Sequence, residues 1–190
     1  FKRKIDVRDW ELHLFLKDHY GKDKHQTLTH SESFFAVCEE GDLDIVRAMV
    51  KRTQVDLEER DGSNKTPLHW AAWNGHIPVV QYLCEQGADK EARSDAGMTP
   101  LFFAALNGHL PMVQYLCEQG ADKDAMNEYD NTPLHSAAMK GHLPVVQYLC
   151  EQGADKEARS DVGMTPLLLA AHNGHLPVVQ YLCEQGADKE

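Results

Sequence analysis

Cysteine and histidine are the residue types in this chain that could bind a metal ion or form cross-links. The 190 residues include 5 Cys and 11 His. Four cysteines recur at a constant interval, at Cys84, Cys117, Cys150 and Cys183. Packed helices lie about 8–10 Å apart, which exceeds the roughly 7 Å limit between the Cα atoms of a disulfide. We therefore predict buried, unpaired thiols in a reducing compartment.

The histidines recur at the same interval, and they include His76, His109, His142 and His175. The sequence contains no Cys-x-x-Cys pair and no His-x-x-x-His pair, which are spacings typical of zinc ligands. The chain also lacks a glycine-rich phosphate loop, a G-x-S-x-G elbow and an H-E-x-x-H motif. These absences predict a protein that is not an enzyme and binds neither a metal nor a cofactor.

Composition and charge exclude several classes of partner. Hydrophobic residues make up 42% of the chain and charged residues 26%, which is typical of a globular protein. The formal net charge of -11 argues against a nucleic-acid binder, because such proteins neutralise phosphates. No apolar run reaches the roughly 18 residues of a membrane span, and the first residues lack the pattern of a secretory signal. We predict no nucleic-acid or membrane partner and a cytoplasmic location, with the nucleus as an open alternative.

Internal repetition predicts the elements that position these residues. Thr-Pro-Leu begins at Thr66, Thr99, Thr132 and Thr165, so it recurs at the interval of the cysteines and histidines. Each unit contains two prolines in fixed slots, which suit helix starts, and two glycines in slots that suit helix ends. The first of these units is predicted to hold helices over residues 68–74 and 79–86. Helices this short are marginal alone, so the units must stack.

The segment from Thr66 to His76, with the sequence TPLHWAAWNGH, resembles the ankyrin repeat. It recurs from Thr132 to His142, whereas Phe102 and Leu168 replace its first histidine in the two other copies. An ankyrin repeat is about 33 residues long, which is also the interval between the Thr-Pro-Leu segments. The resemblance implies an all-α solenoid of stacked helix-turn-helix units with β-turn or hairpin tips. It also implies that the repeated histidines hydrogen-bond turns and tie adjacent units together.

The boundaries of the repeat domain follow from the same alignment. Residues 1–24 are predicted to form an N-terminal capping helix, over 7–20, and a linker; the alternative is the end of a different upstream domain. A capping-box spacing at Thr29 and Glu32 would start a degenerate first unit. The repeat domain, 25–190, then divides into units 25–60, 61–93, 94–126, 127–159 and 160–190.

The last unit has an internal type of sequence, with Val178, Val179, Tyr181 and Leu182 where a terminal unit would present polar residues. Terminal repeats normally carry a polar outer face. This predicts either further repeats beyond the chain or end-to-end packing of the last unit against another molecule.

Slots that vary between units are the candidates for recognition. The resemblance implies a concave groove, lined by the tips and the first helices, that binds other proteins. Aromatic residues, Met and Arg in these slots have the composition of an interface. We expect Trp73 to be exposed, whereas Trp70 and Phe103 are equally compatible with packing between helices. The candidate partner-binding residues are Arg60, Lys65, Trp70, Trp73, Asn74, Arg93, Met98, Phe103, Leu106, Asn107, Met126, Tyr129, Met139, Lys140, Arg159, Met164 and His172.

The predicted function is that of a non-catalytic scaffold that binds a protein or peptide and no small-molecule substrate. The alternative is a regulatory or substrate-recruiting segment of a larger enzyme or effector, whose catalytic domain would lie outside this chain.

Overall fold

The computed structural model describes residues 34–53 and 55–188. The predicted capping helix over residues 7–20 and the capping box at Thr29 lie outside these residues. Within them, the chain forms ten helices joined by turns, and no strand is present. The all-α architecture is therefore confirmed for this part of the chain.

The helices form five antiparallel pairs, one for each unit. Each first helix packs on the first helix of the next pair, and second helices of neighbouring pairs also pack on one another. The helices are α1 Phe34–Glu40, α2 Leu43–Thr53, α3 Pro67–Trp73, α4 Ile77–Glu85, α5 Pro100–Leu106, α6 Leu110–Glu118, α7 Pro133–Lys140, α8 Leu143–Glu151, α9 Pro166–His172 and α10 Leu176–Glu184.

Proline begins the helices nearly where the sequence predicts. In α3, Thr66 is the extended N-cap and Pro67 the first helical residue. In α4, His76 is the N-cap and Pro78 is the second helical residue, so the helix starts earlier than predicted. Proline has no backbone N–H, but at the second helical position this loses no hydrogen bond. The first four N–H groups of a helix have no partner within it.

One continuous apolar core runs through all five pairs. It is centred on fully buried leucines, one from each helix of the middle pairs, namely Leu68, Leu83, Leu101, Leu116, Leu134 and Leu149. Fully burying one such side chain stabilises the fold by about 1.5–3 kcal/mol. Since each pair contributes only two helices, its apolar face becomes buried only when a neighbouring pair covers it.

The cysteines lie at the edge of this core rather than inside it. All five fall in the described residues and none forms a disulfide, but only Cys38 is fully buried. The four repeated cysteines are half-buried, which corrects the prediction of complete burial. Partial burial still raises the pKa of Cys117 and Cys150 to about 11, so both are thiols at neutral pH.

Histidines at the start of the second helices tie each pair to the preceding one. The Nε2 atom of His109 donates to the carbonyl oxygen of Trp73 at 2.9 Å, and that of His142 donates to Leu106 at 3.1 Å. His76 and His175 donate in the same way to Glu39 and Met139. The structural role that the resemblance implies for these histidines is confirmed.

His69 joins two units through both of its ring nitrogens. Its Nδ1 accepts from the Thr66 backbone N–H at 2.9 Å, and its Nε2 donates to the Met98 carbonyl at 3.1 Å. His135 makes the equivalent bonds to Thr132 and Met164. These partners require the neutral tautomer with its proton on Nε2, and burial lowers the pKa of His69 to about 4.

Among the described residues, no helix has both the length and the apolar character needed to cross a membrane.

The glycine that follows each first helix allows a test of the histidine packing. Gly108 and Gly174 occupy equivalent slots, with φ of +74° and +75°. A Cβ atom at Gly108 would lie 2.6 Å from His142 Nδ1, whereas one at Gly174 would meet no atom within 4 Å. We predict that Gly174→Ala costs about 1–2 kcal/mol for the left-handed backbone. Gly108→Ala should cost a further 1–3 kcal/mol or so for overpacking. Urea unfolding measures both losses, and equal losses would contradict this account.

The buried histidines predict a pH dependence of stability. The pKa of His69 is about 4 in the folded chain and about 6.5 when unfolded. The unfolded chain therefore binds the extra proton between these values, and stability falls as the pH falls through this window. From pH 7 to pH 5, the wild type should lose about 2 kcal/mol more than His69→Phe, which places the residue found at Phe102 in this slot. Denaturant midpoints at the two pH values, at constant ionic strength, measure the difference. An identical decline in both proteins would show that His69 is protonated as readily in the folded state as in the unfolded one.

Candidate protein-binding surface

The tips between the pairs are tight turns that hydrogen-bond to one another. In the first complete unit, the Asp61 N–H donates to the Lys65 carbonyl at 3.0 Å, which closes the turn. The tips of successive units are joined by three backbone bonds, Asp95 to Ser63, Glu128 to Ala96 and Asp161 to Tyr129, at 3.0–3.1 Å. The backbone under the candidate surface is therefore fixed without a partner.

Arginines at the base of the tips support this backbone. One Arg60 guanidinium nitrogen donates to the carbonyl of Arg93 at 2.8 Å, and Arg93 donates to that of Met126 at 2.6 Å. These two candidate residues are exposed, but their N–H groups are partly used within the fold. Arg159 occupies the equivalent slot and is also exposed.

The asparagines after the first helices also serve the fold. The side-chain amides of Asn74 and Asn107 donate to the carbonyls of Trp70 and Phe103, at 3.1 and 3.0 Å. They cap the ends of α3 and α5, where carbonyls lack helical partners. Lys140 fills the same slot in α7 and is exposed.

Three apolar side chains are strongly exposed at the tips, and we call them the tip patch. Met126 is 44%, Tyr129 54% and Val162 76% exposed. Tyr129 and Val162 occupy the same slot of adjacent units, one repeat length apart. Val162 is missing from the sequence-based candidates. Counting one repeat length onward from Tyr129 would have found it.

Aromatic side chains of α3 and α5 form a second feature, the aromatic cluster of Trp70, Trp73 and Phe103. The ring centroids of Trp73 and Phe103 lie 5.1 Å apart. Phe103 is only 3% exposed, and both tryptophans are half-buried. The expectation that Trp73 is exposed is thus corrected: its ring packs against a neighbouring unit. The ammonium group of Lys65 lies over all three rings.

The remaining candidates differ in burial. His172 is exposed, whereas four other side chains are half-buried, namely Met98, Leu106, Met139 and Met164. Backbone carbonyls of these four accept histidine protons from a neighbouring unit. The varying slots therefore contain exposed side chains and also half-buried residues whose backbone carbonyls join neighbouring units.

The surface offers chemistry for recognition. The tip patch supplies apolar contact, and the aromatic cluster supplies a site for a cation. Within residues 34–53 and 55–188, no three Cys, His, Asp or Glu side chains are grouped as metal ligands.

Comparison with known proteins agrees with this geometry. A family model described as ankyrin repeats (3 copies) matches residues 11–94, 90–160 and 127–190. Among curated proteins, the chain is 38% identical over 69 residues to alpha-latrocrustotoxin-Lt1a of Latrodectus tredecimguttatus, which is 36% of this chain and 5% of the toxin. It is 39% identical over 57 residues to palmitoyltransferase akr1 of Schizosaccharomyces pombe, which is 30% of this chain and 9% of that protein.

A second palmitoyltransferase, AKR1 of Candida glabrata, is 42% identical over 53 residues, which cover 27% of this chain and 7% of the relative. The chain thus spans less than a tenth of the length of each of these relatives. The family matches together cover most of the chain, including all five pairs of helices. The chain belongs to the ankyrin repeat family, whose repeats imply binding to a protein partner.

Proposed function

We propose that this chain is a non-catalytic scaffold that binds a partner protein across its tips and first helices. The observation that carries the proposal is the tip patch, in which Tyr129 and Val162 expose apolar side chains from adjacent tips. Exposed apolar groups that lie together are more often interaction sites than isolated ones. The other exposed candidates, including Lys140 and His172, would extend the surface along the ends of the first helices.

Rigidity is the mechanism by which this surface would gain affinity. The Asp161 N–H donates to the Tyr129 carbonyl at 3.1 Å, so the two tips are already joined. A partner therefore does not have to order these loops, and that cost is absent from the binding free energy. Tyrosine is among the residues that most often dominate an interface.

The proposed domain limits are those predicted from the sequence, 1–24 for a capping segment and 25–190 for the repeats. The proposed location is the cytoplasm or the nucleus. Its support is the four half-buried cysteines that form no disulfide, because partly exposed thiols persist in reducing compartments.

A second candidate function is recruitment of a substrate or regulator to a larger enzyme. Two of the relatives are palmitoyltransferases, and the matched residues make up only 9% and 7% of them. The complete open reading frame around this segment tests this candidate, since it requires a catalytic domain in the same polypeptide.

The tip patch yields a prediction about partner binding. Tyr129→Ser combined with Val162→Ala copies the residues of equivalent tips, Ser63 and Ala96, so the turns should fold normally. Losing two central apolar contacts should reduce partner affinity at least tenfold, or about 1.4 kcal/mol and more. Affinity chromatography with quantitative mass spectrometry would identify the partner, and titration calorimetry with the purified partner would measure the loss.

Leu176→Ser is the matched control, because Leu176 is 62% exposed at the start of α10, away from the tips. It removes one exposed apolar side chain outside the tips and should leave affinity unchanged. Equal affinity of the wild type and the tip variant for the purified partner would refute the proposed surface. So would an equal loss in the tip variant and the control.

A further inference from the structure

The aromatic cluster already holds a cation. The Lys65 ammonium nitrogen lies 4.5 Å from the ring centroid of Trp70, 5.0 Å from that of Trp73 and 5.4 Å from that of Phe103. All three distances fall within the roughly 6 Å range of a cation–π interaction. One positive charge is thus shared by rings from two adjacent units.

The geometry of the cluster does not depend on the lysine side chain. Asp61 Oδ2 accepts from Trp70 Nε1 at 2.9 Å, which fixes the orientation of that ring. Phe103 is held by Trp73 on one side and by an edge-to-face contact with His69 at 5.6 Å. The rings would therefore keep their positions if the ammonium group left.

The cluster also has a carboxylate beside it. Desolvation raises the pKa of Asp61, but hydrogen bonds from the Lys65 and Ser63 backbones and from Trp70, with the Lys65 charge, outweigh this and lower the pKa overall. Asp61 is therefore ionised at neutral pH, and its charge favours a cation at the rings.

The repeat architecture does not require a lysine at this position. The equivalent slots contain Met98, Asn131 and Met164. The slots that supply the rings hold smaller or non-aromatic residues in the last two units, such as Ser136 and Leu169. The combination of three rings, a carboxylate and a lysine thus occurs at one place in the described stack, between α3 and α5.

We propose that Trp70, Trp73, Phe103 and Asp61 form a binding site for an arginine side chain of the partner protein, and that Lys65 occupies this site until the partner displaces it. The proposal rests on the proposed function, because it assumes a protein partner. It adds the chemistry of that partner, which carries an arginine at the contact.

Arginine suits this site better than a second lysine. A guanidinium group is more weakly hydrated than an ammonium group, and its plane stacks on aromatic rings. An external lysine would exchange one ammonium for another and would compete against a tethered one at high effective concentration. The net charge of -11 adds a general attraction for a basic partner.

Fluorescence titration with Nα-acetyl-arginine amide tests the site without any partner. Trp10→Phe leaves Trp70 and Trp73 as the only tryptophans that report. In this background, Lys65→Ala should bind the probe at least tenfold more tightly than the unchanged lysine form. Nα-acetyl-citrulline amide has nearly the same shape without the charge, and it should bind at least tenfold more weakly than the arginine probe.

Two further variants complete the design. Lys51→Ala removes an exposed lysine of α2, outside the proposed surface, and should leave probe affinity unchanged. Phe103→Leu in the Lys65→Ala background places the residue of Leu169 in this slot and should remove most of the binding, with thermal unfolding confirming that the fold persists. Equal affinities for arginine and citrulline, or no gain from Lys65→Ala, would overturn the proposal. Because no partner is present, this result is independent of the tip-patch experiment.

Discussion

Every helix in the described part of the chain is too short to be stable by itself. The first helices have seven or eight residues and most second helices nine, lengths at which an isolated helix is marginal in water. Each pair is therefore stable only against its neighbours, and some of the repeated residues reach across a boundary between units. The histidine that precedes four of the five second helices is an example, since its imidazole donates to a carbonyl of the preceding unit.

This dependence limits where a binding function can reside. Arg60 and Arg93 illustrate this, because each guanidinium donates to a backbone carbonyl of the following unit. The exposure of these two arginines alone suggests that they bind a partner, but their hydrogen bonds indicate that they stabilise the backbone of the tips. Tyr129 and Val162 expose apolar side chains that the stack does not use. The candidate surface is therefore identified by strongly exposed apolar side chains, more than by variation between units.

The constant repeat interval predicts the helix pairs and their caps, because proline, glycine and threonine act locally. Burial is harder to predict, since it depends on the side chain that the next unit presents. Phe103 is buried because α7 packs beyond α5, whereas Leu169, in the equivalent slot of α9, is half-buried with no described helix beyond it. The position of Lys65 over three rings also depends on residues from two different units. Its two tryptophans are near in sequence, but Phe103 comes from the following unit.

The two proposed contact regions lie at different boundaries of the stack. The aromatic cluster joins α3 to α5, and the tip patch joins the tips that precede α7 and α9. At about 10 Å per unit, the two sites are about 20 Å apart, which an extended peptide of about six residues can span. A ligand that binds only the folded state stabilises that state. In a repeat array, the stabilisation applies to the units that the ligand contacts and to the interfaces between them. A partner with an arginine at one end and apolar groups at the other would therefore hold the central units together, making the stack more cooperative when bound than when free.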